Sequence, residues 1–248
     1  MAAYYFGVYH WRRRFRSVAS ATGMMCLAAL FRRRWSLGST ALAAALAIGA
    51  TARGIRALSR VLSPPPWTIE RYKYNALAAR LPLGESECVL DVGCGTGRSL
   101  VGLAPHLPSS ATVLGLDVFD DRVILGNAPG LARRNAAIAG LDAMPIEGDG
   151  TCLPIASGSV DTVAACRVLH DLPAASIDPA LRELHRVCGT DGVIGVLELP
   201  LTPEGVDADP ESYWRERVLD AGFETERLDR VDRRGRDDQY VLLIARPT

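Results

Sequence analysis

The sequence predicts an α/β fold: a Rossmann-like, seven-stranded, mostly parallel sheet with helices on both faces, preceded by one or two N-terminal hydrophobic helices. Three observations predict it. Residues 89–92 are a short apolar run that passes into a turn of alternating glycines (Gly93, Gly95, Gly97) and then a helical pattern from Ser99, so strand, tight turn and helix follow directly. Beyond that point, apolar runs of strand length alternate with helical stretches, as βαβ units require. Charge then divides the chain. Residues 1–69 hold ten arginines and no acid, whereas 70–248 hold 18 basic and 28 acidic side chains, a net of minus ten within a chain that is neutral overall.

In chain order, residues 1–63 form a basic, hydrophobic segment. Two uncharged spans, 17–31 and 35–52, are bracketed by Arg12, Arg13, Arg14 and Arg16, by Arg32, Arg33 and Arg34, and by Arg53, Arg56 and Arg60. A transmembrane helix needs about 20 apolar residues, so the first span is short and 35–52 is the candidate anchor. A pair of crossings would place the middle arginine triplet outside, against the positive-inside tendency; a single span, or basic helices lying on an anionic surface, is expected instead. The prolines at 64–66 form an extended linker, and the domain proper runs over 67–248. Its first helix is expected over 68–81 with Thr68 as N-cap, carrying Tyr72 and Tyr74 toward the cleft or the core.

The glycine turn chooses a ligand by its spacing. Glycine is needed where φ is positive or where backbone must lie against a ligand, and the helix behind the turn presents free N–H groups. A dinucleotide fingerprint is G-x-G-x-x-G, with the third glycine one turn into the helix. Here the order is Asp91-x-Gly93-x-Gly95-x-Gly97, with Cys94 inside the turn. That order resembles motif I of the class I S-adenosylmethionine-dependent methyltransferases. The resemblance implies a donor with an ammonium and a carboxylate on its methionine half, for which an acid and backbone N–H groups are suited partners. A NAD(P)-dependent oxidoreductase, with its later third glycine, is the alternative, as is a non-catalytic, membrane-tethered module that binds the donor.

Asp117, at the end of the second strand, matches the family's ribose-binding acid, with Asp120 and Asp121 expected to cap a helix from Arg122. A helix over 129–140 is expected to show Arg133, Arg134 and Asn135 to solvent. The third strand ends in Gly148-Asp149-Gly150, where the family's adenine contact falls on Asp149 with Gly150 and Thr151 beside it. The fourth strand, 159–166, leads into Arg167-Val168-Leu169-His170-Asp171, where the resemblance places the methyl acceptor; Arg167 joins the cofactor-binding set. His170 is the candidate general base with Asp171 orienting it, because removing a proton near neutral pH assists methylation of an oxygen or acidic carbon. Glu198, ending the fifth strand, is a candidate acid on the acceptor side. A helix over 178–188 and strands beginning at 192, 222 and 238 complete the pattern, with the 230–236 arginine cluster as a solvated hairpin tip.

The loop is not N/D-P-P-Y/F, which disfavours amino acceptors such as adenine or glutamine. The acidic domain lacks the basic footprint that nucleic acid requires. The expected acceptor is a small molecule, lipid or quinone-like compound as in the family's prenyl-quinone branch, and the expected setting is a membrane with the catalytic domain on the cytoplasmic side. Six cysteines without a C-x-x-C pair or Cys/His cluster indicate neither a metal site nor a disulfide framework.

Overall fold

The computed structural model describes residues 3–33, 36–62 and 65–248. Arg34, Trp35, Ser63 and Pro64, which belong to the expected anchor and linker boundaries, lie outside the described residues. The chain divides into two compact units, one dominated by 69–119 with 128–248, the other made of 4–68 with 120–127.

In the larger unit, β1 (Cys88–Val92), β2 (Thr112–Asp117), β3 (Ala143–Glu147), β4 (Val160–Cys166), β5 (Cys188–Glu198), β6 (Phe223–Asp232) and β7 (Gln239–Pro247) form one sheet in the order 3-2-1-4-5-7-6. The first five strands run parallel, and β7 enters between β5 and β6 antiparallel to both. Strand order reverses between β1 and β4, so their carboxyl ends open a crevice, where α/β sheets bind ligands. The strands are apolar on both sides because both faces are covered. Leu90, Val163 and Ile194 pack on one face with Ile177 and Leu181 of α6 (Ala174–Val187) and Trp214 of α7 (Pro210–Asp220). Their neighbours Val89, Ala164 and Val193 pack on the other with Tyr74 and Leu77 of α3 (Arg71–Ala78).

Several local expectations are corrected. α3 starts at Arg71, because the Thr68 N–H and hydroxyl both bond to the carbonyl of Pro65 in a turn rather than capping a helix. α4 (Arg98–Leu103) is short and closes in a single 3₁₀ turn, Ala104–His106, where Pro105 has no N–H to continue an α-helix. No helix begins at Arg122: the Asp120 carboxylate accepts from the Arg122 N–H in a turn, and Gly126 follows at φ 81°. In α5 (Pro129–Ile138), Asn135 is fully buried rather than solvated. β6 runs to Asp232, so the hairpin tip is shorter than the arginine cluster, and Arg233 stacks over Tyr240 at 5.2 Å instead of facing only water.

The second unit holds α1 (Trp11–Arg32) and α2 (Leu37–Val61). Gly49 lies against Met24 and Gly54 against Ala21, which sets the helices antiparallel as a hairpin. α2 alone among the described helices is long and apolar enough to cross a membrane. Residues 120–127 belong to this unit: the Leu125 N–H donates to Val8 O, the His10 N–H to Val123 O and the Trp11 indole to Asp121 O.

Candidate active site

β1 carries Asp91 one residue before its end, and the chain then turns through Gly93, Gly95 and Gly97 at φ 71°, 53° and 80°. These left-handed positions exclude side chains at little cost only for glycine. A Cβ on Gly93 would stand 2.2 Å from a Val168 methyl, and one on Gly97 would stand 2.9 Å from Ala132 O. The first glycine therefore admits the loop after β4, and the third admits α5. The N–H groups of Gly93 and Cys94 reach Leu116 O at 2.7 and 3.1 Å, and the buried Asn135 amide donates to Thr96 O at 2.8 Å. Cys94 turns its side chain into the core against Leu100 and Val113, so any part it takes in binding is through its backbone.

Asp117 organises the other wall. Its two carboxylate oxygens accept from the Gly95 N–H at 2.9 Å and the Phe119 N–H at 2.7 Å, tying the end of β2 to the turn. A cleft opens here, lined by Gly93, Asp117, Gly148 and Gly150 on one side and by Val168 and Leu169 on the other. Asp149 sits exposed beside it, and the N–H and hydroxyl of Thr151 hold its carboxyl below the usual range. Gly93, Asp117 and Gly150 thus share one cavity, as their predicted roles require. Arg167, His170 and Asp171 flank the segment that supplies its far wall.

Asp91 is 1% exposed, with the Ser99 hydroxyl donating to one carboxylate oxygen and the other oxygen without a partner. Burial, reinforced by the nearby charge of Asp117 and opposed by Ser99, pushes its pKa up to about 7. A buried acid with one empty acceptor position, and no ion pair among the described residues, is suited to receive an ammonium group. That environment, together with a backbone that tolerates no Cβ at Gly93, fits the methionine half of S-adenosylmethionine. Ser99 was not legible as a site residue because its position, one turn into a helix, carries no signal apart from the acid it meets.

At the end of β4, Arg167 adopts φ 60°, unusual for a residue with a side chain, and its N–H is fastened to Leu197 O at 2.7 Å. The loop then folds over Glu198, which is fully buried and accepts from the Val168 and Leu169 N–H groups at 2.9 and 2.7 Å and pairs with His170 Nδ1 at 2.5 Å. Glu198, not Asp171, therefore orients the imidazole. Asp171 is the more exposed acid, 3.5 Å from Nε2, and Glu198 turns inward rather than toward an acceptor. Burial opposes the charged imidazole, yet the hydrogen bond and charge of Glu198, with Asp171, carry the His170 pKa above its ordinary value.

Tyr72 and Tyr74 do not line the cleft. The Tyr72 hydroxyl accepts from the Arg234 N–H, and the Tyr74 ring covers Gly102. Between them, Lys73, the single lysine of the chain, is 1% exposed and donates to Glu70 at 2.7 Å and to the Tyr240 hydroxyl at 3.3 Å.

Comparison with known proteins agrees with this geometry. Residues 89–192 match the family model of a methyltransferase domain. The ubiquinone/menaquinone biosynthesis C-methyltransferase of Geotalea uraniireducens is 29% identical over 143 residues, covering 57% of this chain and 56% of the relative. The demethylmenaquinone methyltransferase of Roseiflexus castenholzii is 31% identical over 158 residues, covering 56% and 60%. The match thus spans less than two thirds of either relative's length. Among solved structures, the [4+2]-cyclase SpnF superposes with a TM-score of 0.59 at 20% identity, covering 71% of this chain and 81% of that one. The 1,6-didemethyltoxoflavin-N1-methyltransferase of Burkholderia thailandensis, bound to S-adenosylhomocysteine, gives 0.57 at 18% identity, covering 72% and 80%. Those likenesses establish the fold; a cyclase among them shows that the fold alone does not define a reaction.

The sheet order and the glycine turn define a Rossmann-like methyltransferase domain. Residues 89–192 match a methyltransferase domain, and S-adenosylmethionine is the cofactor of that domain, which disfavours the dinucleotide alternative.

Proposed function

We propose that the chain transfers the methyl group of S-adenosylmethionine to a small apolar, quinone-like acceptor, and that it does so at a membrane. The observation that carries the reading is Asp91, a buried acid with one unpartnered oxygen at the mouth of a glycine turn. Asp91 holds the donor's ammonium, Asp117 its ribose, and Asp149 with Gly150 and the Val168 and Leu169 walls its base. When bound, the cofactor supplies a sulfonium methyl already activated for in-line displacement, its sulfur retaining the electron pair of the broken S–C bond, so the chain has chiefly to position and deprotonate the acceptor. His170 Nε2 would accept the proton that the acceptor loses. Glu198 favours the Nδ1–H tautomer, which puts the proton-accepting lone pair on Nε2, with Asp171 3.5 Å from that atom. An acidic catalytic unit favours a small acceptor over nucleic acid. Both curated relatives above are named for quinone methylation, and α2 supports attachment to a membrane, where such an acceptor dissolves.

The test is transfer of labelled methyl from S-adenosylmethionine by the full-length protein to a panel comprising a reduced naphthoquinone, a simple phenol, bulk protein and RNA. Label is expected in the organic-extractable quinol. Label confined to protein or RNA, or donor binding with no transfer to any of the four, overturns the reading.

A further inference from the structure

The hairpin of α1 and α2 has its polarity reversed relative to a water-soluble helix pair. Its buried residues are alanines alone: Ala21 and Ala28 on α1, and Ala43, Ala50 and Ala57 on α2, spaced one heptad apart along each helix. Large apolar side chains point outward, among them Leu30, Leu37, Ile48, Ile55 and Leu58. Small residues let two helix backbones approach closely where lipid, not water, surrounds them. In water the same arrangement would bury almost nothing that drives association.

Charge is separated along the helix axes rather than between faces. Arginines 12, 13, 14, 16, 53, 56 and 60 gather at the open end of the antiparallel pair, and Arg32 and Arg33, with Arg34 next in sequence, mark its tip. No charged residue occurs over 17–31 or 36–52. A helix lying in the plane of a membrane carries its charges along one side, whereas one that crosses carries them at its ends. The uncharged spans 17–31 and 36–52 run for 15 and 17 residues, about 23 and 26 Å at 1.5 Å per residue, so they reach through a hydrocarbon layer of about 30 Å only with the flanking arginines of both helices extended toward the headgroups, α1 being the shorter of the two. The hydroxyls of Ser17, Thr22 and Thr40 bond to carbonyls four residues back, and Ser36 and Ser39 bond to one another, so these polar groups need no water. The positive-inside tendency opposes leaving Arg32 and Arg33 outside, but with seven arginines at the open end it opposes the reverse insertion more, so the tip is the end that lies outside.

We infer that residues 11–61 insert across an anionic bilayer as one helical hairpin, with the alanine seam inside and the aliphatic side chains against lipid. This deepens the membrane attachment proposed above and revises the single crossing that the sequence suggests. Full-length protein carrying Cys152→Ser is reconstituted into vesicles of phosphatidylcholine and phosphatidylglycerol, then washed with 1 M salt and with alkaline carbonate. The protein is expected to stay with the vesicles through both washes, and labelling of Cys26, exposed on α1, by an impermeant maleimide is expected to fall at least tenfold relative to lipid-free protein. Replacing Ile48 and Ile55 together by arginine is expected to release the protein, while calorimetric donor binding by the same preparation stays intact. Release of the unaltered hairpin by either wash, or labelling of Cys26 at the lipid-free rate, overturns the inference. Because donor binding is read separately, that failure is distinct from failure of the methyl-transfer reading.

Discussion

The contact proposed between Asp91 and the donor's ammonium would couple donor binding to pH. The Asp91 carboxyl, raised from an ordinary 3.8 to about 7 chiefly by burial, binds a proton more readily in the folded than in the unfolded chain. Folding stability from this group is therefore greatest at low pH and declines as pH rises from about 4 to 7, since the folded state then holds the extra proton. An ammonium at the unpartnered oxygen offsets that cost by favouring the ionised form. Donor affinity is expected to rise as pH goes from 5.5 to 7.5, by up to about tenfold per unit below 7, with proton release measurable by calorimetry in buffers of different ionisation enthalpy. Asp91→Asn should remove the slope; an unchanged slope in that variant would refute the assignment. Gly93 is a second single-residue constraint. Gly93→Ala adds a methyl 2.2 Å from Val168 at φ 71°, at about 1–2 kcal/mol for the backbone and about 1–3 for the clash. Thermal unfolding should show that Val168→Ala recovers only the clash. The acid and the three glycines were legible because a turn is a local device with fixed spacing. The missing partner of Asp91 was not, since it depends on which side chains the folded chain brings near it.

At the scale of elements, the ends of β4 and β5 act together. Glu198 lies 28 residues from His170, yet one buried carboxylate holds the imidazole and two N–H groups of the intervening loop. Sequence reading chose Asp171 because it is adjacent, whereas parallel strands place side by side residues that are far apart in the chain. Neutral His170 appears only as pH rises through its raised pKa. In stability terms, its imidazolium contributes fully below the ordinary 6.5 and is lost above that raised value. Glu198→Gln keeps an acceptor for the Val168 and Leu169 N–H groups but removes the charge. The acid limb of the pH–rate profile should then move to lower pH while the plateau falls, and His170→Ala should cost about 10²–10⁴-fold in kcat. A Glu198→Gln profile that keeps its midpoint would exclude this positioning role. The seven-stranded, mostly parallel sheet was legible from the alternation of apolar runs; helix starts were less so. Thr68 and Asp120 carry capping chemistry that also suits turns, and both form turns here.

At the scale of the molecule, the sequence boundary near 63–67 divides composition correctly but not contacts. Residues 120–127, which begin three positions beyond the end of β2, fold with the N-terminal unit through backbone bonds to residues 8 and 10 and the Trp11 indole. Backbone groups carry no sequence signal, and the partners are more than a hundred positions apart, so no periodicity could have announced the pairing. It follows that the protection of this segment depends on the N-terminal residues. Deleting residues 4–11 removes the Val8 carbonyl, and with it the acceptor for the Leu125 N–H. A hydrogen bond worth about 1 kcal/mol corresponds to several-fold faster local opening, so exchange at Leu125 should rise by roughly five- to tenfold. The Gly93 N–H, bonded to Leu116 within the larger unit, should keep its protection in the same measurement. Equal protection of Leu125 in both proteins would mean that the segment is held by something other than residues 4–11.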